Sequence, residues 1–164
     1  MKASRIGFKN YGFTLIELMV VIAVLSIFLT VGIPSFTQAI KNNRLSAASN
    51  DLVSLLQFAR SESVRRGENI VVTANNGTGA NEWGGGAVVA NDEGDELRIM
   101  NNVDTDITLD GQNGDVTITF SRTGFTDLTA TETIEICDDR SGEQGWQISV
   151  LVSGIIDIRR MACS

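Results

Sequence analysis

From Leu18 to Ile40 the chain carries no charged side chain, and Leu, Ile, Val, Phe and Ala dominate the stretch. A helix of about 20 residues spans roughly 30 Å, the thickness of a bilayer's hydrocarbon core, so this run is long enough to cross a membrane. Lys2, Arg5 and Lys9 precede it, and the first acid, Glu17, stands at its edge. A basic leader before an apolar run is also the pattern of a secretory signal peptide. Yet the run exceeds the usual apolar region of about 7 to 15 residues, and residues 34–38 offer no obvious small-x-small cleavage site. The apolar run is therefore expected to stay in the chain. Glu17 then needs a partner, because a carboxylate in hydrocarbon is costly unless something neutralises it.

Past the run, Leu45, Ala48, Leu52, Leu55, Leu56, Ala59 and Ser63 recur at steps of three and four, the stripe of an amphipathic helix. Gly67 directly follows Arg65 and Arg66, which places a C-cap glycine behind cations that suit the negative end of the helix dipole. One helix from about residue 13 to residue 66 is predicted, kinked at Pro34, where proline removes a helical hydrogen bond. After Gly67 the pattern shortens to β-prone runs at 70–73, 87–90, 97–100, 107–109, 116–120, 133–137, 147–152 and 155–159, separated by Gly, Asn and Asp. Ser153-Gly154 reads as a two-residue hairpin turn. The fold class predicted is α+β, a long helix packed on a largely antiparallel β-rich head.

The residues at the start of the apolar run, Gly12-Phe13-Thr14-Leu15-Ile16-Glu17-Leu18-Met19-Val20-Val21-Ile22-Ala23, resemble the signal of type IV pilins. That resemblance implies cleavage by a prepilin peptidase between Gly12 and Phe13, followed by methylation of the new N-terminus. It also gives Glu17 a partner, the amino terminus of a neighbouring subunit in a filament, and it assigns Pro34 to the bend of the helix. Residues 57–67, with Ala59-Arg60-Ser61-Glu62 and Arg66-Gly67, are similar to a helix end of the GspH/FimT group of minor pilins and pseudopilins. Trp83-Gly84-Gly85-Gly86, Phe120-Ser121-Arg122-Thr123-Gly124 and Val152-Ser153-Gly154 resemble that group's strand and turn motifs more loosely. The implied organisation is a removed leader at 1–12, a transmembrane and assembly half-helix at 13–40, and a periplasmic head at 41–164. The protein would sit as a single-pass subunit of the bacterial inner membrane. Its partners would be the peptidase, other pilins or pseudopilins, and the inner-membrane assembly platform.

Cys137 closes one strand and Cys163 follows the last. If the last three strands run up, down and up, both cysteines reach the same end of a sheet. Two strand spacings are about 10 Å, too far for a direct bridge, but Met161-Ala162 can carry Cys163 back over the middle strand. A Cys137–Cys163 disulfide is expected outside the cytoplasm, with two free thiols as the alternative.

Histidine is absent from the 164 residues, which removes His-based triads and imidazole metal ligation. No phosphate loop or nucleophile with its base is present either, so neither an enzyme nor a cofactor is expected. The acidic stretch 91–96 has oxygen ligands but not the spacing of an EF-hand, and reads as a solvated turn with no metal assigned. The net charge is −7, and residues 82–115 hold many acids against Arg98 alone, which disfavours DNA there. A minor DNA reading rests on Arg140, Arg159 and Arg160. In the FimT branch a Gly-Arg-x-Arg motif marks DNA receptors, whereas Gly154 here is followed by Ile155 and Asp157 falls at the second arginine position. Three functions follow from the resemblance: a minor pilin that primes or caps a type IV pilus, which is favoured; a GspH-like pseudopilin of type II secretion; and a pilus-tip DNA receptor.

Overall fold

The computed structural model describes residues 12–76, 81–140, 142 and 144–163. The leader cations Lys2, Arg5 and Lys9 lie outside the described residues. The chain packs as two units, one ending at Ile40 and the other covering Lys41–Ser164.

A single helix, α1 (Leu15–Arg66), is continuous in backbone through position 34, whose proline ring lies outside the described side chains. In the first unit the described side chains of α1 are exposed. By length and composition that helix can cross a membrane.

In the second unit the same helix buries the stripe that the sequence marks: Leu45, Ala48, Leu52, Leu55, Leu56, Ala59 and Ser63 are all inside. Each leucine so buried contributes about 1.5–3 kcal/mol through the apolar surface it removes from water. The helix stops at Gly67, which adopts φ +70 and donates its N–H to the Ser63 carbonyl at 3.0 Å. A left-handed residue there is the usual glycine C-cap.

Eight strands follow: β1 (Ile70–Ala74), β2 (Ala87–Asn91), β3 (Glu96–Met100), β4 (Ile107–Gly111), β5 (Thr117–Phe120), β6 (Glu132–Asp138), β7 (Gln144–Val150) and β8 (Ile156–Ala162). They form two four-stranded sheets, ordered β3-β2-β1-β5 and β4-β6-β7-β8, with every pairing antiparallel. The chain leaves the first sheet for β4, returns for β5, and ends in the second. Alternation sends Ile70 and Val72 of β1, Ile118 and Phe120 of β5, and Ile134 and Ile136 of β6 into one core with α1.

Two local expectations change. The seventh strand begins at Gln144 and the eighth runs to Ala162, because the register continues outward to the Gln144–Ala162 pair. The β7–β8 loop has three residues rather than two: the Leu151 N–H donates to the Ile155 carbonyl at 2.9 Å, and Gly154 supplies φ +75. A turn closed by a left-handed glycine needs that third position.

Candidate functional site

The first candidate site is the start of α1. Thr14 caps the helix: its Oγ1 accepts the Glu17 backbone N–H at 3.3 Å, and its carbonyl accepts the Leu18 N–H at 3.2 Å. Thr14-x-x-Glu17 is the sequence of a capping box, and Glu17 occupies the first turn, where the helix dipole favours negative charge. Thr14 was not among the expected site residues, although the Thr-x-x-Glu spacing carries its signal. Glu17 itself is exposed and has no ion pair among the described residues.

Gly12 and Phe13 precede the cap, and Phe13 is 81% exposed. A β-carbon at Gly12 would meet nothing within 4 Å, and its backbone is not left-handed. Among the described residues nothing imposes a steric need for glycine at this position.

Cys137 and Cys163 are joined, with Cα atoms 5.8 Å apart. The bridge crosses over β7, and the residue beneath it is Gly145, whose missing side chain leaves the room the sulfurs occupy. Sequence reasoning found the pair but missed Gly145. At the same end of the sheet, Arg140 chelates Asp138 through Nε and Nη2, and it donates to Asn42 of α1 at 2.8 Å. Burial opposes charge on Asp138, but the hydrogen bonds from Arg140 win and hold its carboxyl below the usual range. Lys41 pairs with Asp139, so the β6–β7 turn is tied to the start of the head's helix by two charged contacts.

The three arginines grouped for DNA contact do not converge. Arg140 is tied to Asp138. Arg159 is in register with Gln147 and donates to its side chain, whereas Arg160 is in register with Trp146 and stacks 4.5 Å from the indole centroid. Successive residues of a strand face opposite sides, so Arg159 and Arg160 project from the two faces of β8.

A second buried polar group was not foreseen. Glu132 is fully buried, Glu82 nearly so, and the Gly111 N–H donates to Glu82 at 3.1 Å. Burial pushes the Glu132 carboxyl up, against a hydrogen bond from Asn113. Trp83 Nε1 and Glu132 Oε2 have no partner among the described atoms. The acidic 91–96 stretch is a tight turn organised by Asn91, whose Oδ1 accepts the N–H groups of Glu93 and Asp95 at 3.1 and 2.7 Å.

The helix start, the exposed apolar half and the two-sheet head can be set beside known proteins. A protein-family model, Type II transport protein GspH, matches residues 48–154, and a second, the prokaryotic N-terminal methylation motif, matches residues 7–33. The chain belongs to the GspH family. It is a pilin-like member of that family of minor pilins and pseudopilins, which are structural subunits, and its methylation motif implies prepilin-peptidase processing and assembly into filaments. The solved structure of the type IV minor pilin FimU of Pseudomonas aeruginosa (strain PAO1) superposes with TM-score 0.64 at 23% identity, covering 76% of this chain and 98% of that one. A second crystal form of FimU gives TM-score 0.60 at 22% identity, covering 73% and 99%. Both show a shared fold. The type IV major pilin protein PilA of Myxococcus xanthus (strain DK1622) is 38% identical over 61 residues, which span 37% of this chain but 28% of that relative.

Proposed function

We propose that this GspH-family chain is a minor pilin of a type IV pilus, which helps to initiate or cap assembly after a prepilin peptidase removes residues 1–12. The observation that carries the reading is the junction at residues 12–17: an unconstrained glycine, an exposed phenylalanine, then a capped helix whose first turn holds Glu17. In this reading residues 13–40 anchor the subunit in the inner membrane and pack in the filament, and residues 41–164 form a periplasmic head. Glu17 pairs there with the amino terminus of a neighbour, which offsets its desolvation. The FimU-like fold and the disulfide beside the last hairpin support the pilus branch.

Mass spectrometry of the protein from membranes tests processing. The mature chain should begin at a methylated Phe13, and Gly12→Leu should keep the leader. Intact Met1, or a start beyond residue 36, would refute the reading. Glu17→Ala should insert in the membrane yet be depleted from sheared pili.

The description of the matching family as a type II transport protein favours one second reading, a pseudopilin of a secretion system. Deleting the chain should impair piliation under the first reading and protein secretion under the second. The DNA-receptor reading rests on Arg140, Arg159 and Arg160, of which Arg140 is engaged by Asp138 and Arg160 lies over the Trp146 ring.

A further inference from the structure

The inward face of β6 that places Ile134 and Ile136 in the core begins with a carboxyl side chain, Glu132. Glu132 is 0% exposed and stands opposite the buried Val150 of β7, and its Oε2 has no hydrogen-bond partner among the described atoms. Its Oε1 accepts the Asn113 N–H at a long 3.5 Å. Gly111 of β4 makes the room. A β-carbon there would stand 2.8 Å from Oε1 and 3.5 Å from the Trp83 indole nitrogen, which also lacks a partner among the described atoms. An ionised carboxylate is costly in such a place, because burial removes water and one long hydrogen bond does not replace it.

The titratable groups around Glu132 add to that cost. From the 112–116 segment Asp115 opposes its ionisation with like charge. From the short 3-10 helix Glu82–Gly85, Glu82 is itself buried and accepts the Gly111 N–H at 3.1 Å. On β4, Asp110 accepts the Asn81 N–H at 3.3 Å. None of these four acids has an ion pair among the described residues. The 112–116 segment is also the crossing from one sheet to the other. At one end the Gln112 N–H donates to the Thr133 carbonyl of β6 at 2.8 Å, and at the other the Val116 carbonyl accepts the Ala74 N–H of β1 at 2.8 Å. Asn113 Nδ2 donates to the Thr131 carbonyl at 2.9 Å. The strap is thus tied to β6 at Thr131 and Thr133, the two residues that flank Glu132.

We propose that Glu132 is a proton-operated latch on this strap: protonated, it stays beneath residues 112–115 and the strap is closed; ionised, it moves toward water and the strap opens locally while the rest of the head remains folded. The strap is the element that yields. Gly111, Trp83 and Val150 around the carboxyl are buried, whereas residues 112–115 are exposed and include no apolar side chain. Opening them breaks the hydrogen bonds of Gln112 and Asn113 and uncovers little of the core, so it requires far less than global unfolding. In the open form the carboxyl is solvated and ionises near its ordinary value of 4.5. The open population therefore grows about tenfold per pH unit above that value, until Glu132 ionises in the closed form as well.

Amide hydrogen exchange of the full-length protein in detergent micelles, with each rate divided by its intrinsic chemical rate, reads the opening. From about pH 5 upward the protection of the Gln112 and Asn113 amides should fall about tenfold per pH unit and then level off. At every pH it should stay below the protection of the Ile148 amide on β7. Strap protection that is independent of pH overturns the proposal. Protection equal to that of Ile148 means that the head opens as a whole and overturns it too. Glu132→Gln should hold the strap at its acid-side protection throughout; a slope that survives this change assigns the titration to another carboxylate and removes the latch. Should that variant fail to fold, Asp115→Asn decides. Without the like charge Glu132 ionises at lower pH in the closed form, so the fall should level off earlier, and a curve identical to that of the parent protein overturns the latch.

Discussion

Gly145 lies under Cys163: a β-carbon built on the glycine would stand 2.5 Å from the Cys163 sulfur and 3.1 Å from that of Cys137. The bridge therefore spans three strands only because the middle one has no side chain at that point. Gly145→Ala is expected to leave free thiols in oxidised protein, and alkylation followed by mass measurement reads this. Removing both cysteines opens a loop of sequence separation 26, for which the chain-entropy relation gives about 3–4 kcal/mol. The alanine variant should lose more than that, because its β-carbon would also stand 2.3 Å from the Ile136 carbonyl oxygen, and full retention of the bridge would show that β7 can move aside.

Gly154 and Gly67 both adopt positive φ, at +75 and +70, but only Gly154 is crowded. A β-carbon there would strike the Gly124 carbonyl, whereas at Gly67 it meets nothing within 4 Å. Gly67→Ala should cost about 1–2 kcal/mol, the left-handed penalty alone. Gly154→Ala should cost clearly more, because backbone must shift as well. Thermal unfolding of the two variants side by side makes the comparison.

Glu132 titrates above its ordinary value because it is buried. The folded state therefore holds its proton to higher pH than the unfolded chain does, so stability falls as pH rises from about 4.5 and levels off above the folded value. Glu132→Gln imitates the protonated form and should raise the unfolding midpoint at pH 7.5 while changing little at pH 4. An equal shift at both values would remove titration as the cause.

Glu62 behaves in the opposite sense. Hydrogen bonds from Arg65 and then Arg66 at the end of α1 lower its pKa from 4.5 to about 2. Its contribution is present above pH 4.5 and is lost as pH falls toward 2. Glu62→Gln should flatten the acid limb of the stability curve within that window, with the helical signal at neutral pH little changed. A steep limb in the variant would assign acid sensitivity to another carboxylate, with Asp138 next in line.

The long helix and its buried stripe were legible because a period near 3.6 repeats over many residues, and every named position from Leu45 to Ser63 is inside. The disulfide was legible from strand direction and chain length. What stayed hidden depended on contacts distant in sequence. No local pattern places Gly145 under Cys163, brings Gly124 against Gly154, or buries Glu132 beside Trp83. Adjacency in a strand likewise sends Arg159 and Arg160 to opposite faces rather than gathering them. The Thr14 cap is legible in the Thr-x-x-Glu spacing alone.

The cap at Thr14 also fixes what removal of the leader can change. The α-helical hydrogen bonds of α1 begin with the Leu18 N–H and the Thr14 carbonyl, downstream of the Gly12–Phe13 bond. A peptidase can cut that bond without unwinding a turn. With the proposed cut there, the new amine lies next to a helix that is already started, and the mature subunit gains a terminal cation without refolding. Under the proposed function, cleavage acts as a timing signal that licenses the subunit for pairing while leaving its architecture as it was.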